Sequence, residues 1–364
     1  MRGWGSCARV PVERESERGI DLGLGMRPAI SVLMPCYNAA STMDEAVESI
    51  LDQTFADLEL IAVDDGSTDE TRRRLDTWAR RDKRVTVLPR SHGGLVDALQ
   101  AGLSACRAPL VARMDADDRS SPDRLGRQFA ALEAHPEVAV VGCLVEGFPL
   151  QDVRQGFQMY IEWLNGLVTP EAIAREIFVE SPLAHSSVVM RRSWLERVAG
   201  YQDRGWPEDY DLWLRLHLAG ARFAKVPEVL VGWREHPARA TRTDGRYAVE
   251  NFLRAKAHYL TCGPLVGRDS LVIWGAGQLG RRLAKHLVRG GAPLRAFIDI
   301  DPAKIGQIRR GVPTFGVEEL PALWTSLPRP VLVAAVGSRG ARALIRGRLT
   351  ELGLAEAQDW WAVA

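Results

Sequence analysis

The sequence lacks the features that define three large classes of protein. No apolar run reaches the roughly 18 residues that a membrane-spanning helix needs. The five cysteines are scattered, odd in number and without a C-x-x-C pair, which argues against a disulfide framework or a structural zinc site and fits a reducing cytoplasm. The 47 Lys and Arg residues nearly balance the 46 Asp and Glu residues, and this balance gives no support to a nucleic-acid partner.

The first residues also lack the apolar segment of a secretory signal. Residues 1–28 are rich in Arg, Glu and Gly, and we predict that they form a disordered tail. Met26 stands just before the first predicted strand, so it is an alternative start of the natural protein. N-terminal sequencing would distinguish Met26 from Met1.

From residue 29 onward, apolar β-branched runs alternate with helical patterns, which predicts a mainly parallel, doubly wound α/β sheet. Ser67 and Glu70 have the spacing of a capping box, and this predicts a helix that begins at Thr68. The predicted strands are 30–34, 58–63, 85–88, 110–114 and 138–145, and the predicted helices are 41–53, 68–81, 95–105 and 122–134. Between 146 and 262 the pattern is less regular, with predicted strands at 185–190 and 223–231 and predicted helices at 171–178, 209–219 and 247–260.

Two groups of acidic residues follow predicted strands. Asp64 and Asp65 come after the second strand, and Asp115, Asp117 and Asp118 come after the fourth. In doubly wound sheets, ligands bind at the carboxyl ends of the strands. Like charges this close together repel each other, and burial strengthens the repulsion. The two groups therefore predict a site for a positively charged partner at one edge of the sheet.

Six short motifs occur in an order that is more specific than any one of them. Taken together they resemble the family-2 glycosyltransferases, which are inverting enzymes with the GT-A fold, and the resemblance covers about residues 29–260. The motifs are SVLMPCYNA (31–39), VDDGSTDET (63–71), ARMDADD (112–118), HSSVVMRR (185–192), GYQDRGWPEDYDLWLRL (200–216) and VGWREH (231–236).

The resemblance implies a GT-A type doubly wound mixed sheet and a glycosyltransferase activity. The expected donor is a nucleotide-sugar, with a UDP-sugar as first choice, and the expected acceptor is a hydroxyl of a glycan or of a lipid-linked sugar in cell-envelope polysaccharide biosynthesis. The expected location is the cytoplasm, and peripheral association with the inner face of the membrane stays open. The oligomeric state stays open as well.

The second acidic group matches the D-x-D motif of this family. The resemblance implies that Asp117 ligates Mg²⁺ or Mn²⁺, while Asp115 contacts the ribose or shares the metal. Such hard cations prefer carboxylate oxygens, and they neutralise the diphosphate that leaves with the nucleotide. His236 matches a histidine that contacts the metal or the diphosphate in several GT-A enzymes. A surface histidine without this role is the alternative.

The resemblance also implies a set of donor-binding residues. Tyr37 is expected to stack on the nucleobase, and Asp65 is expected to accept a hydrogen bond from the base or the ribose, whereas Asp64 ties the loop together. The stretch Ser91–Gly94 departs from the Asn-rich pattern of the family, which predicts an altered donor pocket. The full set is Pro35, Tyr37, Asn38, Asp65, Arg90, Arg113 and Asp115, and its two arginines are equally well explained as solvated side chains.

Glu208 and Asp209 match the E-D motif, which precedes an apolar helix. An inverting transfer needs a base that takes the proton of the acceptor hydroxyl. We expect Asp209 to be this base and Glu208 to support it. We also expect the positive end of the helix to keep the carboxylate ionised at neutral pH.

The last part of the chain carries a second pattern, Gly275-x-Gly277-x-x-Gly280, between a predicted strand and a helix. Asp299 ends the next predicted strand. This Rossmann-type fingerprint predicts a nucleotide-phosphate site. Three interpretations stay open, namely a domain that binds a nucleotide or nucleotide-sugar, an accessory or oligomerisation domain, and a reductase.

The predicted domains are a tail (1–28), a glycosyltransferase domain (29–262), a linker (263–270) and a Rossmann-like module (271–364).

The rival functions both rest on this C-terminal fingerprint. One is a nicotinamide-dependent oxidoreductase, and the other is a protein that binds or senses a nucleotide-sugar without catalysis. The set of apparent metal and base residues in the first part of the chain favours the glycosyltransferase.

Overall fold

The computed structural model describes residues 27–364. The first 26 residues of the predicted tail, with the alternative start Met26, lie outside the described residues. The described part of the chain forms two sheets with helices on their faces. None of its helices is both long and apolar enough to cross a bilayer.

The first sheet has eight strands in the order β3-β2-β1-β4-β7-β6-β8-β5. Strands β1 to β4 are parallel, whereas β7 runs antiparallel to both β4 and β6, and β5 runs antiparallel to β8. The predicted mixed α/β sheet is thereby confirmed. The strands are β1 (Ile30–Cys36), β2 (Leu58–Asp64), β3 (Val85–Pro89), β4 (Leu110–Arg113), β5 (Arg119–Ser120), β6 (Val138–Phe148), β7 (Val189–Arg191) and β8 (Arg222–Arg234).

Ten helices accompany this sheet in the described residues. Every residue of β1 and β2 is buried, as expected for central parallel strands with helices on both faces. The helices are α1 (Met43–Leu51), α2 (Thr71–Arg81), α3 (Leu95–Ala105), α4 (Arg124–Ala134), α5 (Gln155–Asn165), α6 (Pro170–Glu176), α7 (Arg192–Arg197), α8 (Glu208–Leu218), α9 (Ala240–Thr243) and α10 (Val249–Cys262).

Two local predictions are wrong. Helix α2 begins at Thr71 rather than Thr68, because the Ser67 hydroxyl accepts a hydrogen bond from the Asn38 amide (3.0 Å) instead of capping the helix. The Asp69 carboxylate accepts the Thr71 amide (2.9 Å) in its place. The predicted strand 185–190 is also shorter than expected, since residues 185–187 form a 3₁₀ turn and β7 begins at Val189.

The second sheet has six strands in the order β11-β12-β10-β9-β13-β14, all parallel except β11. The chain passes from β9 to β10 on one side and later returns to β13 on the other. The carboxyl ends of β9 and β13 thus form the crevice where such sheets bind ligands. The elements are β9 (Ser270–Trp274), α11 (Gln278–Arg289), β10 (Leu294–Ile298), β11 (Ile308–Arg309), β12 (Val312–Phe315), α12 (Leu320–Ser326), β13 (Pro330–Ala334), α13 (Ala341–Glu351) and β14 (Trp360–Ala362).

Helix α10 joins the two sheets, and the apolar core is continuous across it. One cluster of buried side chains includes Leu214 of α8, Leu253 of α10 and Leu287 of α11. Polar contacts add to this packing, because Glu250 on α10 pairs with Arg282 (2.9 Å) and with the His286 ring (2.6 Å) on α11. The two sheets therefore share one interior.

Candidate active site

Three carboxylates lie together in the turn that follows β4. Oxygens of Asp115, Asp117 and Asp118 all lie within 4.8 Å of one another. Asp118 is buried, and its Oδ1 atom accepts a hydrogen bond from the Arg234 amide (2.8 Å). Its Oδ2 atom is buried and has no hydrogen-bond partner among the residues that the structure describes. Burial and the charges of Asp117 and Asp115 raise the pKa of Asp118 well above its usual value.

This arrangement fits a divalent cation. A buried carboxylate oxygen without a partner is costly, and the cost grows when two further carboxylates stand beside it. Mg²⁺ and Mn²⁺ favour carboxylate oxygens as ligands and would supply the missing positive charge. The donor set of the turn is therefore chemically suited to the cation that the sequence predicts.

The structure brings His236 to the same turn from the end of β8. Its Nε2 atom lies 2.8 Å from Oδ2 of Asp117, and both side chains are about one-third exposed, at 32% and 30%. Arg234 fixes this approach, because its guanidinium donates to the Asp117 carbonyl (2.5 Å) and pairs with Glu45. His236 is thus a neighbour of the acidic turn rather than an isolated surface histidine.

Arg113 is the positive charge that already serves Asp115. Its Nη2 atom lies 2.5 Å from Oδ1 of Asp115, and its side chain is only 1% exposed. Burial opposes the charge of Arg113, but Asp115 and further negative groups outweigh that effect and raise its pKa. Of the two explanations for this arginine, the solvated side chain is excluded.

The loop after β1 has an exposed aromatic stack. Tyr37 is 47% exposed, and its ring lies 4.1 Å from the ring of His92 at an angle of 22°. Asn38 adopts a left-handed backbone (φ 47°), and its side-chain oxygen accepts the Thr68 amide (2.8 Å). Pro35 is buried near the carboxyl end of β1, opposite Val63 of β2, and its contact with the donor stays a prediction.

The loop after β3 holds Asp65 in place. Its carboxylate accepts the amides of Gly93 (3.1 Å) and Gly94 (2.8 Å) and lies 3.0 Å from Nδ1 of His92. A carboxylate has about four acceptor positions, so the expected hydrogen bond from the base or the ribose stays a prediction. Asp65 also positions the His92 ring that stacks on Tyr37. Asp64 ties its turn together as predicted, since its Oδ1 atom accepts the Ser67 amide (3.2 Å).

Arg90 belongs to the same loop. Its guanidinium donates to the Asp97 carbonyl, and its amide donates to the Asp64 carbonyl (2.9 Å). These contacts tie the end of β3 to the start of α3. The structure places Arg90 as a support of the loop, and it is partly exposed.

Glu208 and Asp209 begin helix α8, and they differ in accessibility. Glu208 is 2% exposed and accepts hydrogen bonds from the Tyr247 hydroxyl at 3.0 and 2.9 Å. Asp209 is partly exposed, and its oxygens accept the Tyr210 amide (2.7 Å) and the Ser181 hydroxyl (3.3 Å). Only Asp209 is therefore open to an incoming hydroxyl.

The pKa of Asp209 differs from the expectation that the start of α8 keeps this carboxylate ionised at neutral pH. Burial, with the adjacent carboxylate of Glu208, raises the pKa of Asp209 to about 8, so the carboxyl is mostly protonated at pH 7. Burial also raises the pKa of Glu208. The helix N-terminus favours the ionised form by only about 1 kcal/mol, which is too little to offset burial beside a second acid.

Buried polar side chains lie near both the D-x-D turn and the start of α8. The His185 ring accepts or donates a hydrogen bond at the Tyr201 hydroxyl (2.9 Å), and its Nδ1 atom lies 3.8 Å from Glu208. Burial, followed by the charge of Arg113, lowers the pKa of His185 well below its usual value. Arg113 contacts Asp115, and the charge of Glu208 also raises the pKa of Arg113, so the D-x-D turn and the start of α8 lie in the same region of the molecule.

Comparison with known proteins agrees with this arrangement. The model of the family "Glycosyl transferase family 2" matches residues 31–199. The amylovoran biosynthesis glycosyltransferase AmsE of Erwinia amylovora is 32% identical over 204 residues, which are 55% of this chain and 74% of AmsE. The chain belongs to glycosyltransferase family 2. It is therefore a glycosyltransferase enzyme, and the resemblance seen in the sequence is confirmed.

Two solved structures share the fold of this family-2 glycosyltransferase. TarS 1–349 of S. aureus in complex with UDP-GlcNAc has a TM-score of 0.55 and 20% identity, covering 72% of each chain. The mannosyltransferase PcManGT of Pyrobaculum calidifontis, in complex with GDP-Man and Mn²⁺, has a TM-score of 0.50 and 21% identity, covering 74% of this chain and 70% of that one. At these identities the likeness establishes the GT-A fold.

The C-terminal part of the glycosyltransferase brings three of its four predicted site residues together. Gly275, Gly277 and Asp299 line one cavity of about 770 Å³ at the carboxyl ends of β9, β10 and β13. Gly280 lies inside the packing instead, because a Cβ atom there would come within 1.8 Å of the Gly275 carbonyl oxygen. Gly275 has a φ of 120°, which favours glycine.

Several residues of the site were missed at the level of sequence. Tyr247, which donates to Glu208, follows no motif and reaches the site only through the fold. Arg124 is fully buried beneath the acidic turn and donates to the Arg113 carbonyl (2.8 Å). His92 had a signal, because it lies in the stretch that departs from the pattern of the family.

Proposed function

We propose that this glycosyltransferase is a metal-dependent, inverting enzyme that takes its sugar from a nucleotide-sugar, with UDP-sugars as first choice. The acceptor is a hydroxyl of a glycan or lipid-linked sugar in the assembly of a cell-envelope polysaccharide. The observation that carries the proposal is the group of three carboxylates, whose oxygens lie within 4.8 Å of one another in the turn after β4. The name of AmsE, an amylovoran biosynthesis enzyme, supports the choice of acceptor class.

Asp117 and Asp115 are the proposed metal ligands, with His236 as a further contact to the metal or the diphosphate. A bound Mg²⁺ or Mn²⁺ would neutralise the diphosphate as it leaves. Arg113 keeps Asp115 in place from the buried side, and Arg234 does the same for Asp117. Tyr37, stacked on His92, offers an exposed aromatic face for the nucleobase.

Asp209 is the proposed general base, and Glu208 positions it. A base works best when its pKa lies near the working pH, and the pKa of Asp209 is about 8. When ionised, Asp209 takes the proton of the acceptor hydroxyl as the hydroxyl attacks the anomeric carbon from the side opposite the diphosphate. Glu208 is held away from the acceptor by the Tyr247 hydroxyl.

The decisive experiment is a transfer assay with a panel of UDP- and GDP-sugars. Release of the nucleoside diphosphate is followed with Mn²⁺, with Mg²⁺ and with EDTA, and the anomeric configuration of the product is determined by NMR. We expect release only with metal, and inversion at the anomeric carbon. Full activity in EDTA would contradict the metal dependence, and a product with retained configuration would contradict the role of Asp209.

A further inference from the structure

The residues that line the cavity between β9 and β13 include none of those proposed for the transfer reaction. We propose that it binds a nucleoside diphosphate group, as a second site separate from the acidic turn. The cavity has a volume of about 770 Å³, a size typical of small-molecule sites. The proposal does not depend on the reaction assigned to the first sheet.

The phosphate end of the proposed site is the start of α11. This helix begins at Gln278, and no side chain of the described residues caps it at Gly277. The first amides of a helix have no partner within the helix, and they attract phosphate oxygens. A Cβ atom added at Gly277 would have no neighbour within 4 Å, so the backbone faces open space there.

The ribose end is Asp299, at the end of β10. Its carboxylate accepts the amides of Ala276 (2.8 Å) and Asp301 (3.0 Å), and Lys304 lies 3.3 Å away. A carboxylate has about four acceptor positions, so Asp299 can still accept a hydroxyl. Lys304 places a positive charge on the same wall of the cavity.

The base end is apolar and exposed. Ile300 follows Asp299, Leu344 lies on α13, and each of these side chains is 78% exposed while lining the cavity. Exposure of large apolar side chains to water is unfavourable when no ligand is bound. At a cavity, such side chains are typical of surfaces that a ligand covers. A planar base bound in the cavity would find apolar surface on these two side chains, and their exposure is an observation independent of the helix start.

The charged groups of the cavity favour binding over hydride transfer. Lys304 pairs with Asp299 and Asp301 (both 3.3 Å), and Arg348 pairs with Glu318 (2.9 Å). The described residues that line the cavity include no His, Cys or Tyr, and Lys304, which could also exchange a proton with a substrate carbonyl, is paired with two carboxylates. The cavity thus has the groups that a nucleoside diphosphate needs, and the pairing of Lys304 favours binding over hydride transfer.

The test is calorimetric titration of the full chain with UDP, ADP and NAD⁺ in EDTA, which removes the metal required by the first site. Gly277→Asp adds a charge where the diphosphate would lie, and Gly347→Asp adds the same charge to α13 outside the cavity. Neither Cβ atom would meet a neighbour within 4 Å, so both variants should fold. Leu344→Asp, at an exposed position, removes one wall of the base end.

We expect one equivalent to bind to the wild type and to Gly347→Asp, and at least about tenfold weaker binding to Gly277→Asp and Leu344→Asp, because the new carboxylate repels the diphosphate or breaks the apolar wall. The preferred ligand among the three identifies the source of the nucleoside diphosphate group. Unchanged affinity in both cavity variants, or no saturable binding to the wild type, would overturn the proposal. Loss of transfer activity would not affect this result, so the two proposals fail separately.

Discussion

His236 and Asp117 stand 119 positions apart in the sequence, yet Nε2 of one lies 2.8 Å from Oδ2 of the other. The contact closes the D-x-D turn from the side of β8. It joins a residue outside the matched family segment, 31–199, to the acidic group inside it. The fold therefore brings together the two halves of the proposed metal site, and each half can be tested alone.

The first prediction concerns the metal. Asp117→Ala should abolish metal-dependent binding of the donor, because one of the proposed metal ligands is lost. His236→Gln should weaken Mn²⁺ affinity by about tenfold, a typical loss for a peripheral contact. Binding is measured by thermal shift with Mn²⁺ and UDP-sugars. Asp152→Asn, at an exposed position, is the control and should match the wild type.

The second prediction separates binding from transfer. Asp209→Ala should keep donor affinity and lose transfer by about 10²- to 10⁴-fold, since only the proton acceptor is removed. Nucleotide release in a transfer assay gives the rate, and the thermal shift gives the affinity. Normal turnover in Asp209→Ala would show that another group is the base. Glu196→Gln, an exposed change on α7, serves as the matched control.

The third prediction concerns pH. The pKa of Asp209 is raised from 3.8 to about 8, so kcat/KM should increase with pH as the carboxyl ionises, reach half its maximum near pH 8 and level off above that pH. The effect on stability has the opposite sign. The folded chain holds a proton that the unfolded chain releases, so this stabilising contribution is complete below pH 3.8 and is lost as the pH rises through about 8.

The raised pKa of Asp209 can also be checked by measuring the free energy of unfolding at two pH values. Asp209→Asn should raise the free energy of unfolding at pH 8 by about 1–2 kcal/mol, because the amide removes the repulsion from Glu208. At pH 4 the variant and the wild type should be nearly equal. Urea unfolding at both pH values measures the difference. A variant that is less stable at pH 8 would contradict the raised pKa.

The fourth prediction concerns the support of Glu208. Tyr247→Phe removes a hydroxyl that donates to both oxygens of a buried carboxylate, so the free energy of unfolding should fall by about 1–3 kcal/mol. Transfer should fall as well, since Glu208 loses its position. Tyr37→Phe is the control for stability, because it keeps the exposed ring that stacks on His92. Equal stability of the two variants would argue against the buried contact.

The fifth prediction uses two glycines of the C-terminal fingerprint. Gly280→Ala should destabilise the chain by about 3 kcal/mol, since its Cβ atom would lie 1.8 Å from a backbone oxygen. Gly277→Ala has open space around its Cβ atom and should change stability little. Thermal unfolding compares the two. An unchanged stability of Gly280→Ala would mean that the start of α11 lies farther from the Gly275 carbonyl oxygen than this distance implies.

Much of the sheet could be predicted because buried parallel strands leave an apolar run in the sequence. Helix α3 begins and ends where its pattern predicts. The position of β7 between β4 and β6 could not be predicted, because antiparallel pairing across the sheet leaves no local signal. Helix α5 was not predicted either, because its position depends on packing against β6.

In the candidate site, too, local motifs could be predicted and contacts between distant residues could not. Asp115, Asp117 and Asp209 could be proposed as site residues because short motifs carry them. The raised pKa of Asp209 could not be predicted, because burial and a neighbouring carboxylate cause it. The loop partners of Asp65 could not be predicted, because the amides that it accepts are 28 and 29 residues away in the chain.

Helix α10 has a consequence for how the molecule unfolds. Tyr247, just before the helix, holds Glu208, while Lys256 on the helix donates to the carbonyls of Val179 (2.7 Å) and Val363 (3.1 Å), the latter one residue from the end of the chain. A chain cut after residue 262 would leave Lys256 without one of its acceptors and would expose the apolar face of α10. We therefore expect that the segment that resembles the family does not fold as a separate enzyme, because the second sheet packs against the helix that supports the proposed catalytic carboxylates.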